Sequence, residues 1–171
     1  MNNQSLNIRK LALTGIFAAL AVVGSTFSFP VLGSKCAPVQ HMVNVLCAVF
    51  LGPGWALAAA FVASLIRNMT GLGTFLAFPG SMCGALLAGL LYSKFKVLPA
   101  AWIGEIFGTA VIGGMLAYPI ASMVMGNSAA TLFTFVVPFL ISTAGGTLIA
   151  ALITLALQNR GVISRLREQM E

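Results

Sequence analysis

Apolar residues run in long blocks along this chain, and the polar positions gather between the blocks instead of alternating with the apolar ones. Blocks of that length without a polar face predict helices that bury in lipid. The first predicts a span over residues 11–29 ending before Pro30, long enough at ~1.5 Å per residue to cross a ~30 Å hydrocarbon layer. The later blocks predict spans over 39–51, 54–67, 75–92, 100–125 and 131–157, in one transmembrane domain over 1–171. Pro138 and the run Ser142 to Thr147 are expected to interrupt the last span. The opening MNNQSLNIRK is polar and the run after it is too long for a signal h-region, so a true span is expected there.

The break GPGW at Gly52–Trp55 admits two short helices or one kinked span. Charge placement decides between them. With a break, six spans leave both termini cytoplasmic, with Arg9, Lys10, Lys94, Lys96, Arg160, Arg165 and Arg167 inside and Lys35 and Arg67 outside. A single kinked span gives a poorer separation. The reading is an all-α integral membrane protein with six transmembrane helices.

Composition narrows the class. With 59% hydrophobic and 7% charged residues and a mean hydropathy of +1.01, a chain of 171 residues cannot hide its apolar surface in a soluble core. The net charge of +6 then reports orientation instead of nucleic-acid binding. Three cysteines, Cys36, Cys47 and Cys83, indicate no disulfide framework. MTGLGT is Gly-rich, but the chain has no GKS or GKT, so nucleotide hydrolysis is not supported. Cys36 and His41 have no second cysteine or nearby acid, which makes a poor metal site. No cofactor is indicated.

Polar chemistry is therefore scarce, and GSKCAPVQHMVN (Gly33–Asn44) concentrates it around the only histidine. Gln40, His41 and Asn44, three and four residues apart, project from one face of a helix beginning near Val39. Topology puts them near the outer surface, where Arg67, Asn68, Thr70 and Ser81 also emerge. A few such donors and acceptors in an apolar pocket can hold a small polar ligand. Each also has a plain reading: mutual hydrogen bonds and helix capping for the triad, snorkelling for Arg67.

Glu105 is the only acid before the tail and lies within the fifth span, the usual mark of function or of a structural hydrogen bond, here to Thr109 one turn on. Tyr118, thirteen residues later, shares a cavity with it only if Gly108–Gly114 distorts the helix. Trp55, Trp102, Tyr92 and Tyr118 fall near span ends as an aromatic belt does, with ligand stacking the alternative for Tyr118. On the first span Gly15/Ala19, Thr14/Ala18 and Ala21/Ser25 offer small faces for close helix approach, within the chain or to a partner.

The motifs GSKCAPVQHMVNV, LGPGWA, RNMTGLGTFLAFPGSMCGALLAGLLY, GEIFGT and AYPIA resemble the ThiW family, substrate-binding S components of energy-coupling factor (ECF) transporters. The resemblance runs from Arg9 to Pro119, with the last span and tail agreeing in pattern. It implies the S-component fold in a prokaryotic cell membrane and a high-affinity outer site for the thiazole moiety of thiamine, 4-methyl-5-(2-hydroxyethyl)thiazole. It implies too a coupling transmembrane subunit and two ATPase subunits as partners, so the chain itself is not an enzyme. In that picture the loop from Gly33 to Gln40 closes over the ligand, and the site draws on Gln40, His41, Asn44, Arg67, Asn68, Ser81, Glu105 and Tyr118. Gly15, Ala18 and Ala19 would meet the coupling subunit, although Gly15-xxx-Ala19 departs from the family's usual Ala-xxx-Ala.

Arg67 alone is little for a phosphate, so the neutral alcohol is expected to outbind its phosphate ester. Three other readings stand beside this one: an S component for thiamine, with Glu105 facing the cationic ring; a structural subunit without ligand; and an intramembrane enzyme using His41 and Glu105. The last is opposed by an expected separation of ~15 Å or more from helix rise.

Overall fold

A computed structural model describes residues 3–32 and 34–168. Gly33, which opens the expected cover, lies outside the described residues, as does the end of the basic tail. The chain is built of helices: α1 (Asn3–Gly24), α2 (Pro38–Leu51), α3 (Pro53–Met69), α4 (Ala77–Phe95), α5 (Leu98–Val124), α6 (Val136–Asn159) and α7 (Val162–Glu168). Residues 6–27, α5 and α6 are long and apolar enough to cross a membrane.

Proline and glycine set the boundaries. Pro38, Pro53 and Pro99 occupy first turns, where the missing N–H costs nothing. Gly52 stands between α2 and α3 at φ 86°, a conformation that stops a helix and suits only glycine. The GPGW break therefore yields two helices. Pro138 does not interrupt the last span, contrary to expectation: it falls in the first turn of a continuous α6, and the Ser142–Thr147 run stays helical.

Two departures matter more. The first span ends early, at Gly24 followed by a short 3-10 turn over Ser25–Phe27, and the chain then forms a hairpin. Strands β1 (Phe29–Val31) and β2 (Ser34–Cys36) pair antiparallel, with Phe29 opposite Cys36. The cover expected as a loop is thus partly strand. The second departure is in α5, which holds two π-helical stretches, Gly108–Gly113 and Ile120–Val124. The distortion required near Gly108–Gly114 is present.

The bundle is polar and small inside, apolar outside. Large side chains such as Ile16, Leu20, Phe61, Ile103, Leu148 and Leu152 are exposed. Alanine, serine and threonine, with Arg67 and Glu105, fill much of the interior, the distribution expected when lipid is the solvent. Helix α2 is the central element, packed against α1, α3, α4, α5 and α6. Helices α4 and α5 approach through facing glycines: a Cβ on Gly104 would lie 2.7 Å from Cα of Ala88, and one on Gly113 2.6 Å from Cα of Gly80.

Tyr92 is not at the surface as a belt residue would be. It is 6% exposed and packs with Val45, Val49, Leu98 and Ala101. Trp102 packs against that same cluster and Trp55 against the neighbouring one around Cys47 and Ala88.

Candidate functional site

Helix α2 starts inside the bundle, not at its rim. Cys36 Sγ donates to the Pro138 carbonyl at 3.2 Å, and the Ala37 N–H donates to Ser142 Oγ at 2.9 Å. Gly146 of α6 lies so close to the Pro38 carbonyl and His41 that a Cβ there would clash with both. These contacts put the start of α2 roughly 9–15 Å along α6 from its own start. The hairpin fills the space above.

From that position α2 brings its polar face to the middle of α5. Glu105, 0% exposed, accepts at Oε1 from His41 Nδ1 at 2.8 Å, Asn44 Nδ2 at 3.0 Å and Thr109 Oγ1 at 3.1 Å. The expected gap of ~15 Å between His41 and Glu105 is therefore wrong. It assumed that α2 begins at the membrane surface, whereas the hairpin carries its start inward. Asn44 Nδ2 also donates to the Ser81 carbonyl at 3.2 Å. A second chain of bonds leads from Gln40 Nε2 to Ser64 Oγ (3.3 Å), on to Ser81 Oγ (2.8 Å), and from there to the Ala77 carbonyl (2.8 Å). Three carboxylate bonds and this relay satisfy most of the buried polar atoms on α2.

With Glu105 ionised, a carboxylate can only accept, so Nδ1 of His41 carries a proton, and Nε2 accepts in a neutral ring or donates in a charged one. His41 lines a narrow cleft, open on one side, with a cavity volume of about 30 Å³, so a ligand larger than water enters only as its walls part. Ser34, Lys35 and Ala37 of the hairpin form one side, and Arg67, Gly73 and Thr74 of α3 and its following turn form another. Gln40, Ser81, Thr109 and Ser142 supply polar atoms deeper in, and Leu76 with Phe139 an apolar wall. An aromatic ring, hydroxyls, an amide, an imidazole and cations thus gather around one concavity, the kinds of group with which proteins hold small polar molecules.

The family described as thiamine-precursor transporter protein (ThiW) matches residues 11–160. The chain belongs to the ThiW family. No curated protein and no solved structure matches it.

In this ThiW chain the residues singled out from sequence divide into three groups. Gln40, His41, Arg67 and Ser81 line the cleft. Asn44 and Glu105 are buried behind them and brace the wall through His41 and Thr109. Asn68 and Tyr118 are not among the lining residues. Asn68 is half-buried with an unpartnered Nδ2, and Tyr118 packs on the cluster of Leu76, Phe135 and Phe139. On α1, Ala18 is buried against Val43 and Ala63 of its own chain, so it is spent on internal packing. Gly15 and Ala19 stay exposed.

Sequence reasoning missed Ser34, Lys35, Ser64, Thr74, Phe139 and Ser142 as members of this region. Ser64 stands three residues before Arg67, a same-face spacing that would have flagged it. Single hydroxyls in apolar helices otherwise read as bonds to the preceding turn, which is what Thr14, Ser25 and Thr154 make here.

Proposed function

We propose that this chain is the substrate-binding S component of an ECF-type importer and binds 4-methyl-5-(2-hydroxyethyl)thiazole in the cleft between the hairpin and α2. The carrying observation is His41: held by Glu105 through Nδ1, it lines a cleft that Phe139 lines too. The ligand hydroxyl hydrogen-bonds to His41 Nε2, the second N–H of Gln40 donates to the ring nitrogen, and Phe139 with Leu76 packs the methylated ring. Glu105 serves as a brace through Oε1, which three protein donors share, while its buried Oε2 has no partner among the described residues. Glu105 stands behind the residues that line the cleft, which weighs against direct contact with the cationic ring of thiamine.

In this reading six segments cross a prokaryotic cell membrane with both termini cytoplasmic, and the exposed Gly15 and Ala19 of α1 meet the coupling subunit. Two ATPase subunits supply hydrolysis. A transporter family also argues against an enzyme built on His41 and Glu105, now that distance no longer does.

Titration of the purified protein with the thiazole alcohol and with thiamine tests the proposal. The alcohol is expected to bind more tightly, and His41→Ala and Asn44→Ala to weaken it by roughly tenfold or more, the loss of a buried hydrogen bond or of its support. Unchanged binding in both variants places the site elsewhere.

A further inference from the structure

Arg67 is 2% exposed, and its Nε has no hydrogen-bond partner. A snorkelling side chain would carry its guanidinium to the surface. This one is held inside, along the cleft. The Gly73 N–H bonds back to the Arg67 carbonyl at 2.9 Å, folding the turn over the side chain.

No carboxylate answers the charge. Glu105 is the only acid before the tail, it is engaged by His41, Asn44 and Thr109, and among the described residues no ion pair involves Arg67. A second cation stands at the entrance: Lys35 lines both the cleft and an adjoining outer groove bounded by Ser28, Phe29, Pro30 and Thr74. A buried guanidinium without a counter-charge is costly to maintain, and its planar fork matches a phosphate or carboxylate bidentately.

We propose that the cleft contains an anion subsite, with Arg67 inside and Lys35 at its mouth, and that it takes a thiazole ending in an anionic group more tightly than the neutral alcohol. This rests on the cleft being the ligand site. It reverses the expectation that Arg67 alone is too little for a phosphate, since Lys35 and the hydroxyls of Ser34 and Thr74 share the region. Phosphate and carboxylate share the recognising chemistry, and the test separates them.

The full-length protein is titrated in nanodiscs with three compounds: the thiazole alcohol, its phosphate monoester, and the analogue in which the side chain ends as an acetate. At least one anionic compound is expected to bind about ten- to a hundredfold tighter than the alcohol, as charged hydrogen bonds would give. Gain with the ester alone assigns phosphate, and gain with both assigns a general anion site. In Arg67→Gln the ratio of anion to alcohol affinity collapses toward one, and Arg67→Lys restores part of it, which a residue of merely structural importance would not do. Lys35→Gln, at the one exposed position of β2, lowers the same ratio and its salt dependence, keeping the proposal testable if Arg67 variants do not fold. Alcohol binding with no gain from either anion overturns the subsite while the proposed function stands. Binding of none of the three overturns both.

Discussion

His41 and Glu105 are separated by 64 positions in the chain and by 2.8 Å in the fold, Nδ1 to Oε1. One bond thereby ties the central helix to the middle of α5 and sets which imidazole nitrogen carries the proton. In the proposed site, recognition would depend on a carboxylate that does not itself line the cleft.

Glu105→Ala leaves three buried donors, on His41, Asn44 and Thr109, without their acceptor. At about 1–3 kcal/mol for each unmatched group, partial relaxation included, the variant should lose at least about 3 kcal/mol of stability. Glu105→Gln keeps an acceptor oxygen and should lose less. Thermal unfolding in detergent ranks the two, and equal unfolding temperatures for Ala and parent would remove the brace.

Ser142→Ala deletes the acceptor for the Ala37 N–H and leaves the Cys36–Pro138 bond to hold the base of the hairpin to α6. One lost bond of about 1 kcal/mol should speed ligand release several-fold, measured by rapid-mixing dissociation. Cys36 reports the same motion. It is a buried thiol whose pKa burial pushes up, the Ser142 hydroxyl pulling the other way. A raised pKa leaves little thiolate near neutrality, and reactivity follows thiolate. Alkylation of Cys36 in a Cys47→Ala/Cys83→Ala background should therefore be slow, climb toward alkaline pH, and accelerate in Ser142→Ala, where wider access to the thiol outweighs the lost pull of the Ser142 hydroxyl on its pKa. Rapid labelling of the unaltered hairpin at neutral pH would contradict the closed geometry.

Gly84→Ala places a methyl against the Thr109 hydroxyl and both carboxylate oxygens of Glu105. Overpacking of this kind costs about 1–3 kcal/mol. Because the displaced groups hold His41, ligand affinity should fall along with stability. Titration and unfolding of the same preparation check the pairing.

Gly15 is the contrast. A Cβ added there meets nothing within 4 Å, so Gly15→Ala should leave folding and ligand binding unchanged, and a bulky Gly15→Leu should still bind ligand. If α1 docks the coupling subunit through this face, Gly15→Leu should fail to co-purify with it. Normal co-purification would move the docking surface away from Gly15.

How much of this was legible in the sequence follows from what each signal depends on. The Gly52–Pro53 break was readable because glycine at positive φ and proline at a first turn act locally. Gln40, His41 and Asn44 were readable because helical spacing alone puts them on one face. The hairpin was not: Phe29–Val31 is three residues long, too short to show a period of two, and it continues an apolar run. Its absence from the sequence reading then misplaced α2 in depth, and with it the distance from His41 to Glu105. Arg67 lay at a span end where snorkelling is the common fate, and only the turn folded back through Gly73 keeps it inside. Tyr92 had the address of a belt residue but faces the small side chains of Ala101 and its neighbours, a choice made by tertiary packing.

The inward start of α2 assigns two tasks to two pieces of chain. Under the proposed function, the groups that touch a ligand at depth stand on helices joined by buried bonds, whereas entry passes the strands Phe29–Val31 and Ser34–Cys36, tied to α6 through Cys36 at Pro138 and, one residue on, through Ala37 at Ser142. Exchanges in the hairpin should then change how quickly cargo enters and leaves. Exchanges along Gln40, His41 and Asn44 should change which cargo is accepted. A lineage could thus retune uptake speed without relearning its nutrient.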